Sequence, residues 1–176
     1  IRPFIGGELI KVMTGIRRSG KSVMLELIKE ELAEAGVAPS QMISINFEDM
    51  RYSHLQTATA LHDEIIKRAE GIEGKAYLFF DEIQEVEGWE KCVNSLRVAL
   101  DCDIYITGSN AKLLSGELAT YIGGRYVEFV IYPFSFAEFL ELYHTIAPSD
   151  SIQQCFQKYL LAGGMPYLAN LRYEEE

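Results

Sequence analysis

The stretch GIRRSGKS, Gly15 to Ser22, holds the residue types and spacing that a polyphosphate site requires. Gly15, Gly20, Lys21 and Ser22 fill the fixed places of the phosphate-binding pattern G-x-x-x-x-G-K-[ST]. Side chains at the two glycine positions would keep the backbone from wrapping a triphosphate. Without them, the N–H groups along Gly15, Ile16, Arg17, Arg18, Ser19 and Gly20 are expected to form a concave anion site, backed by the positive end of the next helix. Lys21 is expected to reach the β and γ oxygens, and Ser22 to offer its hydroxyl to a Mg²⁺ ion. Arg17 and Arg18 read either as further contacts to a polyanion or as solvated loop charge.

Three more groups belong to the same chemistry. In YLFFDE an apolar run ends in Asp81 and Glu82. Behind a phosphate loop, a carboxylate at such a strand end holds Mg²⁺ through its water shell, a role that suits Asp81. Glu82, one residue further on, is placed to polarise a water for attack on the γ-phosphate. In ITGSN, Ile106 to Asn110, a second apolar run ends in small polar residues. The carboxyl ends of neighbouring parallel strands open onto one crevice, so Ser109 and Asn110 are expected to face the ligand of Asp81. Either can orient the attacking water, and either can cap the following helix. Arg125 follows Gly123-Gly124 and reads as an arginine finger for a neighbouring subunit's γ-phosphate or as a local ion pair. His54, His62 and His144 show no ligand spacing.

These groups need a scaffold, and the hydrophobic pattern supplies one. Apolar runs at Leu9–Thr14, Met42–Asp49, Lys75–Gln84, Asp103–Asn110 and Arg125–Pro133 predict five strands. Helical spacing places Met24, Ile28, Leu32 and Ala35 on one face after the loop, then Ala58, Leu61, Ile65 and Ala69, then Trp89, Val93, Leu96 and Leu100. A further helix is expected around Leu114, Leu118 and Tyr121. Strand and helix alternate, which implies an α/β fold with a parallel sheet. From Pro133 the pattern turns helical, with Ser135 and Glu138 as a capping pair and a second helix through Ile152, Phe156 and Tyr159 that stops at Gly163. The expected division is residues 1–133 as the core and 134–176 as a helical lid.

The 176 residues suffice for one sizeable core, and 48% apolar with 24% charged content is ordinary for a soluble globular chain. No apolar run approaches the ~20 residues that span a bilayer. A net charge of −10 argues against direct nucleic-acid binding by this surface. Cys92, Cys102 and Cys155 lack metal-ligand spacing and read as reduced packing residues of a cytoplasmic protein. The chain opens at Ile1 without a methionine or signal peptide, and the expectation is an excised fragment.

GIRRSGKS, FFDEIQ, Gly88-Trp89, ITGSN, GGRY and YPFSFAEFL together resemble the AAA+ superfamily. More narrowly, they are similar to a prokaryotic branch whose members carry a further C-terminal domain. The resemblance runs from Gly15 to Leu140. It implies a three-layer P-loop NTPase fold with a central five-stranded parallel sheet in the order 5-1-4-3-2 and a short helical C-terminal lid. It implies ATP and Mg²⁺ as cofactors, with Lys21 and Ser22 as phosphate and metal contacts, Asp81 as metal carboxylate and Glu82 as catalytic base. Ser109 or Asn110 would be the sensor, and Arg125 a candidate finger in a homo-oligomer. A protein or DNA partner would engage the further domain. No second sensor arginine can be assigned in the tail, where Lys158 and Arg172 are the only Lys or Arg beyond Arg125.

Three activities fit this reading: ATP hydrolysis driving a conformational change, a nucleotide-gated switch with negligible turnover, and a small-molecule kinase. Glu82 favours the first, because a pure switch needs no water-activating carboxylate. No N-K-x-D motif for guanine occurs.

Overall fold

The computed structural model describes residues 1–109, 113, 122–146 and 148–165. These residues fall in two compact units, one within Ile1–Thr14 and Lys21–Val130, the other within Gly15–Gly20 and Ile131–Glu176.

The first unit is built on five parallel strands: β1 (Ile10–Thr14), β2 (Met42–Asn46), β3 (Ala76–Asp81), β4 (Cys102–Gly108) and β5 (Tyr126–Val130). Their order across the sheet is β2-β3-β4-β1-β5. This is the expected order, read from the other edge. Every residue of β1 and β4 is buried, as central parallel strands require. Helices α1 (Lys21–Glu34), α2 (Ala58–Ala69) and α3 (Trp89–Ala99) make the crossovers. Leu78, Phe80, Ile104 and Ile106 pack with Leu61, Ile65, Val93 and Leu96 of α2 and α3. Alternation sends Phe79 and Tyr105 to the opposite face, where their rings stack at 4.8 Å. Lys29 of α1 lies over Phe79, so α1 covers that face. Burial pushes the thiols of Cys92 and Cys102 up to about 12 and about 11, and with Cys155 they are free and buried.

Several boundaries differ from the sequence reading, each for a local reason. β3 stops at Asp81 because Glu82 turns into the left-handed region, with φ 55 and ψ 46, and starts a 3-10 turn over Ile83–Glu85. β2 stops at Asn46, whose side-chain oxygen accepts from the Glu48 N–H and turns the chain. A 3-10 helix over Met50–Leu55 was not expected, and Asp49 caps it by accepting from Arg51 N. In α1 the buried face is Lys21, Leu25, Ile28 and Leu32, whereas Met24 is half-buried and Ala35 is exposed beyond the helix end. The helix expected around Leu114, Leu118 and Tyr121 lies outside the described residues.

In the second unit, α4 (Phe136–Ile146) and α5 (Ile152–Ala162) pack through aromatic rings, with Tyr159 5.4 Å from Phe136 and 5.3 Å from Phe139. Ser135 and Glu138 pair ahead of α4 as expected: the Ser135 N–H donates to Glu138 at 2.8 Å. That bond, with the Ser135 hydroxyl, holds the Glu138 carboxyl below the usual glutamate range. A capping box between Ser151 and Gln154 opens α5, and Gly163, with φ 75, ends it.

Candidate functional site

The loop Gly15–Gly20 needs glycine at both ends for different reasons. At Gly15 a side chain would collide with the backbone carbonyl of Ile131. At Gly20 the backbone takes φ 103, a conformation other residues rarely adopt. Between them Ser19 N–H donates to Ile16 carbonyl at 3.2 Å, and Arg18 stands in the left-handed region with φ 67. Ile16, Arg17 and Arg18 are exposed, and the buried Ser19 hydroxyl has no hydrogen-bond partner.

The first unit gathers a polar cluster at the carboxyl ends of β2, β3 and β4. Asp81, 7% exposed, accepts from the Thr107 hydroxyl on one carboxylate oxygen and from Asn46 Nδ2 at 3.1 Å on the other. Thr107 Oγ1 also accepts from the Glu82 N–H at 3.0 Å. Three adjacent strands therefore fix one carboxylate. Register explains the meeting: Asn46 pairs with Asp81, and Phe80 with Ile106, so the next residues, Asp81 and Thr107, share a level.

Glu82 points its carboxylate to two partners. Lys21 Nζ lies 3.6 Å from Oε1, and Gln84 Nε2 donates to Oε2 at 2.5 Å. Lys21 is itself buried, at 4% exposure, in the first turn of α1. Ser22 follows it and is exposed. Ser109 is half-buried just past β4, where its carbonyl accepts from Leu113 N–H at 3.0 Å. Asn110 lies outside the described residues.

Arg125 stands elsewhere. Its carbonyl accepts from Ile10 N–H, which puts it at the amino edge of the sheet, and its guanidinium donates to Asn94 Oδ1 at 2.8 Å. Four residues along β1 separate that level from the level of Asp81, about 13 Å at the usual strand rise. Three strand spacings across add about 14 Å. Arg125 is thus beyond reach of its own chain's Asp81 and Glu82, and its partner is a neutral amide rather than an acid.

The donor set suits a hard cation. Each Asp81 oxygen carries one protein hydrogen bond and keeps a lone pair, and Ser22 brings a hydroxyl. Among the described residues no cluster of three His, Cys, Asp or Glu side chains is built to hold a metal by itself. Mg²⁺ in general takes one or two carboxylates and draws its other ligands from phosphate and water. Sequence reasoning passed over Asn46, Thr107 and Gln84. Asn46 and Thr107 end apolar runs as Asp81 does, and that shared position was the available signal.

A parallel sheet in this order, a phosphate-binding pattern between β1 and α1 and a carboxylate ending β3 define a P-loop ATPase fold. The sequence model described as an AAA domain matches residues 8–140, and the chain belongs to that family, within the AAA+ P-loop ATPases. An uncharacterized protein of Haemophilus influenzae is 45% identical over 159 residues, covering 90% of this chain and 40% of its own length. The uncharacterized protein MJ1544 of Methanocaldococcus jannaschii is 36% identical over 166 residues, covering 89% of this chain and 35% of its own length. The chain thus spans well under half of the curated relatives it matches. The structure of the Aeropyrum pernix Orc1 protein in complex with DNA shares the fold with a TM-score of 0.56 at 18% identity, over 83% of this chain and 46% of that one. Among the described residues no helix is long and apolar enough to cross a membrane.

Proposed function

We propose that this domain binds ATP with Mg²⁺ and hydrolyses the β–γ phosphoanhydride, coupling the nucleotide state to a conformational change. The observation that carries the reading is the division of labour at the end of β3. Asp81 is immobilised by Asn46 and Thr107, whereas its neighbour Glu82 is turned by a left-handed backbone toward Lys21. A fixed carboxylate suits a metal ligand. A carboxylate beside the phosphate-binding lysine suits a base for water.

In this reading the loop N–H groups and Lys21 hold the β and γ phosphates, and Ser22 and Asp81 hold Mg²⁺. Bound there, the ion neutralises phosphate charge. Glu82 takes a proton from the attacking water, and Ser109 or Asn110 orients that water. Arg125 would serve a neighbouring subunit, since its own site is out of reach. Any protein or DNA target would engage the part of the longer protein outside this domain.

One observation favours a switch with negligible turnover: both oxygens of Glu82 are engaged by protein groups. Calorimetric titration with Mg·ATP, followed by phosphate-release kinetics, tests the two together. Lys21→Ala should weaken ATP binding by about 1.5–3 kcal/mol, the worth of one charge-assisted contact. Equal affinities for parent and variant would sink the assignment of this loop. Tight binding without phosphate release, with and without a second copy in excess, would establish the switch instead.

A further inference from the structure

Gln84 lies two residues past the proposed base, and three features of its side chain bear on that base. Its Nε2 donates to Glu82 Oε2 at 2.5 Å. Its Oε1 is buried without a hydrogen-bond partner. And it rests against Gly108, the last residue of β4, where any Cβ would collide with that same Oε1 and with Leu113. Turning the amide over would set its oxygen against the Glu82 carboxylate, so the carboxylate dictates this orientation and leaves Oε1 unsatisfied. A buried carbonyl oxygen kept without a partner is unfavourable, and folding for stability alone would select an apolar side chain here. The arrangement makes sense if the amide N–H is needed.

We propose that Gln84 is a positioning residue that grips one oxygen of Glu82, so that the other comes free in a fixed direction when Lys21 turns from Glu82 to phosphate. The inference rests on the ATPase reading for its consequence, although the grip itself does not. Lys21 and Gln84 hold the two oxygens from different elements, α1 and the turn after β3. Only Lys21 has a competing partner in a polyphosphate. Its departure would leave Oε1 ready to accept from water, while Oε2 stays anchored and the carboxylate does not rotate. Glycine at 108 is what allows the anchoring amide to lie against β4, immediately before Ser109.

The test replaces Gln84 by methionine, which keeps the unbranched shape against Gly108 but donates nothing. In Gln84→Met, kcat should fall on the order of 10²-fold, as for a misplaced catalytic group. Mg·ATP affinity should stay within about twofold, since Glu82 acts as the phosphate departs rather than in binding. The melting temperature should hold or rise. A second readout needs no turnover: the side-chain NH₂ resonances of Gln84, identified by their loss in Gln84→Met, should shift in Glu82→Gln without nucleotide and again when Mg·ATP is added to the parent. Unmoved resonances in Glu82→Gln would overturn the grip. So would parental kcat in Gln84→Met, or a loss of kcat matched by lost affinity and a lowered melting temperature. A parent that releases no phosphate would instead refute the ATPase reading, and the resonances would still decide the grip.

Discussion

The α1 face of the sheet carries two lysine–carboxylate pairs, and they are built to opposite specifications. Lys11 and Asp103 meet at 2.5 Å toward the amino end, both fully buried. Lys11 also donates to Gly7 carbonyl at 3.0 Å, and Asp103 accepts from Gly6 N–H and Tyr105 hydroxyl, each at 2.7 Å. Burial, then the charge of Asp103, drives the Tyr105 hydroxyl well above its ordinary pKa, so it remains a donor. Lys21 and Glu82, at the carboxyl end, stand 3.6 Å apart, and Glu82 keeps 16% of its side-chain surface in solvent on a left-handed backbone. The first pair is saturated with partners and ties the Gly6–Gly7 turn to the sheet. The second is loose, partly open and carried on a backbone that costs about 1–3 kcal/mol to hold. Two pairs of the same chemistry differ in separation, in burial and in the backbone that carries them.

The largest expected effect concerns rate at the loose pair. Glu82→Gln should slow phosphate release by about 10²–10⁴-fold, the usual worth of a general base. ATP affinity should be retained. Asp81→Asn should behave differently, weakening nucleotide binding in a Mg²⁺-dependent way, because the proposed role of the fixed carboxylate is to hold the metal in the ground state as well. Turnover at the parental rate in Glu82→Gln would collapse the distinction between Asp81 and Glu82.

The saturated pair should answer in stability. Lys11→Met strands a buried Asp103 charge, and removing one partner of a buried pair costs about 3–5 kcal/mol. Chemical denaturation of both proteins measures it. Lys21→Met should move the denaturation midpoint far less, since Glu82 keeps Gln84 and access to water. Equal destabilisation of the two would mean that both pairs are structural and that burial, rather than exchangeability, explains the spacing of Lys21 and Glu82.

How much of this contrast was legible depended on whether a residue's surroundings lay along the chain or across it. The apolar runs into Thr14, Asp81 and Gly108 announced the strands, and the phosphate pattern and Asp81-Glu82 could be read directly. The strand order was available only through the family resemblance. The partners of Asp81 were hidden, because Asn46 and Thr107 reach it through register, which leaves no local signal. Lys11 and Asp103 lie inside the strand runs Leu9–Thr14 and Asp103–Asn110, and neither shows a chemical motif that would single it out. The buried face of α1 was misjudged by one position for a related reason: Lys21 is itself on that face, and a lysine is not counted as apolar. The end of β3 was overrun because nothing in FFDEIQ announces a non-glycine residue at φ 55.

The smallest effect is expected at Arg125, and it asks whether the site is complete within one chain. The guanidinium is exposed and bonded to the amide of Asn94 at the amino edge of the sheet. An exposed contact of this kind contributes about 0–1 kcal/mol, so Arg125→Ala should barely change the folding stability of the isolated domain. Its position, far along and across the sheet, keeps it out of reach of its own chain's Asp81 and Glu82. If it acts at all, it acts on a neighbour, and specific activity must then rise with protein concentration in the parent and stay flat in Arg125→Ala. Mixing Arg125→Ala with Glu82→Gln should restore part of the activity, because one subunit keeps its base and the other supplies the arginine. The mixture must be made with the full-length protein under conditions where association is measured separately, for example by analytical ultracentrifugation. Subunits that associate without rescue would reduce Arg125 to its bond with Asn94, and the site of Lys21, Asp81 and Glu82 would have to work without it.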